Sequence, residues 1–284
     1  MALIPPFFLD CVVGIGIINN TEKQWIGTGF LFGNYIEKNT EDQNLYEVFL
    51  VTNKHVINDL SNIILRFNPQ EDSPAKDYEL SLNDQNRFGH PNPKIDVAII
   101  PINTNLLKTE GMKFQFFNSD IHTFNKKQLI DNETTEGDGI FVLGFPMGLI
   151  GTDRQHVILR NGCIARIRDL FEDRNTDFIV DALVFPGNSG GPVILKPEII
   201  NIEGTKVNNK AALIGIIKSY IPYQDTAVSL QTKRPRIIFE DNTGLSLVEP
   251  VDHIFETIEH YKNLKMKPTN TNSNQQFKYI LKKE

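Results

Sequence analysis

Cysteine and tryptophan are scarce in this chain: Cys11, Cys163 and a single Trp25 in 284 residues. Secreted domains held by a disulfide framework carry more cysteine than this. The two thiols are therefore expected to be free and buried, with one bridge as the minority alternative. No apolar run approaches the ~20 residues that cross a bilayer as a helix, so no membrane partner is expected. The first ten residues are apolar but have no basic leader, and Pro5-Pro6 and Asp10 interrupt them. That is a poor signal peptide, and a cytoplasmic location is the default expectation. Basic residues are outnumbered, 29 against 35 acidic, for a net charge of −6. Nucleic-acid binding, which calls for a basic face, is not expected. The six histidines and two cysteines fall at no metal-ligand spacing, and there is no glycine-rich phosphate loop. Neither a metal nor a cofactor is expected.

The chain does carry short β-like runs. Hydrophobic residues make up 40% of it and charged residues 23%, the composition of a globular protein. In the first part, Cys11–Ile18, Trp25–Gly33, Tyr46–Thr52, Asn62–Phe67, Asp77–Leu82 and Asp96–Ile102 are rich in Val, Ile, Phe and Leu and are bounded by Asn, Gly, Pro or Asp. In the second, Gly139–Gly144, His156–Ile167, Phe178–Leu183, Pro192–Leu195, Ala211–Ser219 and Leu245–Val248 repeat the pattern. The fold class is thus all-β, with two six-stranded antiparallel β-barrels and a C-terminal α-helix. The helix is signalled by Pro250 at its start, by Val251, Ile254, Phe255, Ile258 and Tyr261 at helical spacing, and by lysines near its end. The expected organisation is an N-terminal barrel over 1–115, a linker over 116–138, a second barrel over 139–249, the helix over 250–265 and a polar tail over 266–284, loose from Pro268 to Gln276.

Three local patterns carry chemistry. The turn Gly187-Asn188-Ser189-Gly190-Gly191 suits an activated serine. A serine hydroxyl needs a base to take its proton and donors to hold the oxyanion formed on attack. The backbone amides around Gly187, Asn188 and Ser189 are the candidate donors, and Gly190 and Gly191 would leave room for a substrate backbone. A glycine-rich turn between strands is the bland reading of the same residues. Val48–Val51 is an apolar run that delivers His55 just past its end. Histidine is the natural general base near neutral pH, although most histidines beside strands are structural. Asp96 opens the apolar run Val97–Ile100. A carboxylate there needs a partner, either a backbone amide, a lysine or the imidazole of His55. The chain order His, Asp, Ser is that of the chymotrypsin fold, with His55 and Asp96 in the first half and Ser189 in the second.

On these motifs, with Gly27-Thr28-Gly29-Phe30 and Gly144-Phe145-Pro146-Met147-Gly148, the chain resembles the trypsin-like serine peptidases, and among them the HtrA/Deg-like branch, over roughly residues 11–261. The resemblance implies a chymotrypsin-like double barrel and a Ser-His-Asp triad of His55, Asp96 and Ser189. Lys54 replaces the alanine common before the histidine of trypsins. The stretch after Val248 is short for the PDZ domain usual in that branch, so PDZ-driven activation and trimer formation are not carried over.

The resemblance also places the substrate pocket at Leu183, Val184, Phe185, Ile217, Lys218 and Ser219. No acid stands at its base, with Asp181 expected to be tied up structurally, so cleavage after small or medium apolar residues is expected. The strand Ile216–Ser219 should pair with an extended substrate. Gly144–Thr152 and Leu170–Asp177 read as loops flanking the cleft, to be ordered by a protein or ligand activator. The function expected is a serine endopeptidase acting on protein or peptide substrates, an intracellular enzyme with a dedicated or regulated target. The alternatives are a catalytically silent binding module on the same scaffold and an esterase, which the open cleft of this fold disfavours. The sequence leaves the oligomeric state open.

Overall fold

The computed structural model describes residues 4–198, 206–266 and 282–283. Its strands are β1 Val12–Asn19, β2 Glu22–Lys38, β3 Asn44–Thr52, β4 Asn62–Phe67, β5 Lys76–Ser81, β6 Phe88–Gly89, β7 Ala98–Pro101, β8 Phe117–Asn118, β9 Gly139–Gly144, β10 Ile158–Arg166, β11 Phe178–Asp181, β12 Pro192–Leu195, β13 Ala212–Val228, β14 Pro235–Pro250 and β15 Lys282–Lys283. The stretch expected as a loose tail, Pro268 to Gln276, lies outside the described residues.

The class is all-β with a C-terminal helix, and β10-β11-β14-β13-β12-β9 close into a six-stranded antiparallel barrel. The first half is a second sheet in the order β15-β5-β4-β1-β2-β3-β7-β6, with β8 added parallel to β2. Among the described residues its ladder runs open between β15 and β6. The sequence expectation had missed β6 and β8, each only two residues long. It had also read Asp96 and Val97 as strand, whereas β7 starts at Ala98.

The apolar runs are continuous because each strand serves two cores at once. Side chains alternate along a strand. Phe30, Phe32, Phe49, Val51 and Ile99 enter a central cluster, while Leu31, Val48, Leu50, Ala98 and Ile100 enter the core of the first half. In the second half Phe141, Leu143, Ile194 and Ile216 join the same central cluster, and Ile140, Val142, Val193, Leu195 and Ile217 fill the closed barrel. The central cluster is therefore shared by both halves.

The helix Asp252–Met266 leaves the second half and completes this cluster with Val251, Ile254, Ile258 and Tyr261. Tyr261 meets Phe49 and Phe88 edge-on, and Phe255 meets Phe32. Pro250, expected at the helix start, is instead the last residue of β14, opposite Gly215. Beyond the barrel, β13 and β14 continue as a two-stranded ribbon, paired as far as Val228↔Pro235. Its outer residues are exposed, with Leu230 at the tip 87% accessible. Cys11 is buried and Cys163 half-buried; both thiols are free.

Candidate active site

His55 lies in the one-turn helix Lys54–Ile57 that follows β3, and Asp96 precedes β7, the neighbour of β3 in the sheet. Strand pairing thus brings the two residues side by side. His55 Nδ1 is 2.5 Å from Asp96 Oδ2, and the His55 backbone amide donates to Asp96 Oδ1 at 3.1 Å. Asn53 Nδ2 donates to the Asp96 carbonyl at 2.7 Å. Burial pushes the Asp96 carboxyl up, but the hydrogen bonds and charge of His55, with the charge of Lys218, outweigh it and hold the group below its ordinary value. With Nδ1–H donating to Asp96, Nε2 of His55 is left as an acceptor.

Ser189 lies in the turn before β12, pinned from the other half of the molecule. Thr28 N donates to the Ser189 carbonyl at 2.9 Å, and Thr28 Oγ1 donates to the Gly187 carbonyl at 2.6 Å. Gly187, at φ +97°, adopts a left-handed conformation that glycine takes without steric penalty. Among the described residues the amides of Gly187 and Ser189 have no hydrogen-bond partner. The Asn188 amide is committed to Phe185 O at 2.9 Å and so is not available as an oxyanion donor. The Asn188 side-chain oxygen, in turn, accepts from Phe185 N at 3.0 Å, which closes the turn. Gly190 and Gly191 do not make room for a substrate: a Cβ on either would meet the carbonyl of Thr28 or Leu143.

His55 and Ser189 face one pocket of about 240 Å³, with walls of Val184, Phe185, Pro186, Ile217, Lys218, Ser219 and Tyr220. Leu183, expected among these, is 44% exposed and does not line the pocket. Asp181 is exposed outside it rather than tied into the structure. Ser189 Oγ donates to the Lys218 carbonyl at 3.4 Å, a long bond, and among the described residues no hydrogen bond joins it to His55. The Lys218 ammonium turns away to Asp177 at 3.0 Å and Glu249 at 2.9 Å. Burial alone would lower its pKa, but these two carboxylates raise it, so the lysine stays charged. Sequence reading did not single out Glu249 or Asn53. An acid closing the apolar run Leu245–Val248 was the available signal, of the same kind that marked Asp96.

No family model matches the chain. A periplasmic serine endoprotease, DegP-like, of Pseudomonas putida (strain GB-1) is 25% identical over 198 residues, 69% of this chain and 32% of the relative. The protein of the same name from Chlamydia pneumoniae is 28% identical over 187 residues, 66% of this chain and 31% of that one. This chain resembles the DegP-like branch of the trypsin-like serine peptidases. It spans about a third of the length of these DegP-like relatives. The names of these relatives are periplasmic, and this overturns the cytoplasmic expectation. Among solved structures, the MamO protease domain of Magnetospirillum magneticum aligns with a TM-score of 0.45 at 14% identity, covering 90% of this chain and 97% of its own. The inactive form of Rv3671c from M. tuberculosis aligns at 0.44 and 15%, covering 95% and 98%.

Proposed function

We propose that this protein is a serine endopeptidase in which Ser189 is the nucleophile, His55 the general base and Asp96 the residue that orients it. The observation that carries the reading is the 2.5 Å contact of His55 Nδ1 with Asp96, on the rim of the pocket that also holds Ser189. In this reading Ser189 Oγ attacks the substrate carbonyl while His55 Nε2 takes its proton. The oxyanion is held by the amides of Gly187 and Ser189, which have no partner of their own among the described residues. Protonated His55 then gives its proton to the leaving amine, and water, activated by the same histidine, releases the acyl group from Ser189. Val184, Phe185, Ile217 and Tyr220 favour a medium apolar side chain before the scissile bond. Asp177 and Glu249 are paired with Lys218, and among the described residues no carboxylate lines the pocket to recognise an arginine or lysine there.

The rival reading, a silent binding module, draws on the long bond from Ser189 Oγ to the Lys218 carbonyl. Hydrogen bonds of this kind often tighten only with substrate bound. Labelling with a fluorophosphonate probe separates the two. Wild type is expected to label at a rate lost in Ser189→Ala and His55→Ala. A folded wild type that labels no faster than Ser189→Ala would establish the binding module instead.

A further inference from the structure

Behind the pocket lies a carboxylate with no solvent exposure. Glu249, near the end of β14, is 0% accessible and is held by three donors. Its Oε1 accepts from the Asp96 backbone amide at 2.9 Å and from Lys218 Nζ at 2.9 Å. Its Oε2 faces His253 Nδ1 at 2.7 Å. Beyond these, Asp177 shares Lys218, and His90 packs its ring 5.5 Å from that of His253 while pairing with Glu256 at 2.8 Å.

A buried carboxylate persists only where its hydrogen bonds and a counter-charge offset its desolvation, and such a group fixes whatever holds it. The donors to Glu249 come from different places. Asp96 belongs to the first half, Lys218 to the pocket strand β13, and His253 to the C-terminal helix. Glu249 itself sits in the closed barrel, opposite Ile216 in the ladder. One side chain thus joins the backbone that carries Asp96 to the residue whose carbonyl receives Ser189 Oγ.

We propose that Glu249 is a positioning residue of the active site: its carboxylate sets Asp96, and through it His55, relative to Ser189 across the boundary between the two halves. The inference rests on the peptidase reading for its consequence in rate, and on geometry alone for its consequence in the His55–Asp96 pair. It adds a fourth residue, which touches no substrate, to the three that do the chemistry.

The test compares full-chain wild type, Glu249→Gln and Ser189→Ala. Three quantities are read: the rate of fluorophosphonate labelling, kcat and KM on a peptide with an apolar residue before the scissile bond, and the low-field proton resonance of His55 Nδ1 in protein labelled with ¹⁵N-histidine. Glutamine keeps the shape and one acceptor but loses the charge. Labelling and kcat are expected to fall on the order of a hundredfold, the size of effect that a small misplacement of reacting groups produces. KM should stay within about a factor of two, because no substrate contact is removed. The His55 resonance should move upfield. A folded Glu249→Gln with wild-type labelling and an unmoved resonance overturns the proposal. If wild type fails to label, the peptidase reading is what fails, and the resonance then decides: moved, it supports the positioning role; unmoved, it overturns it. Should Glu249→Gln not fold, Glu249→Asp, which keeps the charge at shorter reach, takes its place. Unfolding of both variants would make the carboxylate purely structural and overturn the proposal.

Discussion

The glycine at 190 separates two reasons for using that residue. Its φ is +84°, and a Cβ there would meet the Thr28 carbonyl. Gly111 has nearly the same φ, +70°, with nothing within 4 Å of the added atom. Left-handed backbone alone costs about 1–2 kcal/mol for an ordinary residue. Overpacking adds about 1–3 kcal/mol. Gly111→Ala is therefore expected to lose about 1–2 kcal/mol in urea unfolding, and Gly190→Ala about 2–5 kcal/mol together with its fluorophosphonate labelling. Equal losses would mean that the turn moves aside freely. Much at this scale was legible in the sequence. His55, Asp96 and Ser189 each stand at one end of an apolar run or in a glycine turn, and the structure brings His55 and Ser189 to one pocket, with Asp96 against His55. Less legible were the partners they acquire through folding. Nothing local says that the Asn188 amide goes to Phe185, or that Glu249 reaches Asp96 across 153 positions of chain.

Among the elements, the C-terminal helix was legible and the ribbon was not. Val251, Ile254, Ile258 and Tyr261 recur at helical spacing, and all four are buried in the central cluster. Only the start was misplaced, because Pro250 suits both a helix start and the end of a strand at a sheet margin. The outer β13–β14 ribbon shows no apolar alternation to read. Its cross-strand partners Gln224↔Glu240 and Asp225↔Phe239 mix polar and apolar residues, and Pro222 and Pro235 argue against strand. The helix supplies a prediction. Ile254→Ala empties part of the central cluster and is expected to cost about 2–5 kcal/mol by denaturant unfolding. Leu264→Ala, on the exposed side of the same helix, should stay within about 0.5 kcal/mol. A comparable loss at both positions would show that burial in the central cluster does not set the helix's contribution.

For the molecule as a whole, the shared central cluster ties the two halves into one cooperative unit. Heat or urea should unfold them in a single transition, with fluorescence and circular dichroism coincident. The carboxylates at the boundary contribute to its response to acid, alongside Asp77 and Glu136, which are also held below their ordinary values. Burial raises both Glu249 and Asp96, but hydrogen bonds and neighbouring positive charge outweigh it and leave both below their ordinary values of 4.5 and 3.8. A carboxyl depressed in the folded state stabilises it above the unfolded value, and that stabilisation is lost as pH falls through the folded value. Stability is thus expected to hold down to about pH 4.5 and to fall below it, less steeply in Glu249→Gln than in wild type. Equal acid slopes would remove Glu249 from the account.

The return of the C-terminal helix to the first half also orders events in time. Tyr261 hydrogen-bonds Glu47 at 3.0 Å, 214 positions earlier. Translation proceeds at about 5–20 residues per second, so on the order of ten to forty seconds separate the two residues as the ribosome makes them. Until the last turns of the helix emerge, the central cluster lacks one wall. A nascent chain therefore carries both His55 and Ser189 before the helix that closes the central cluster around them has been made.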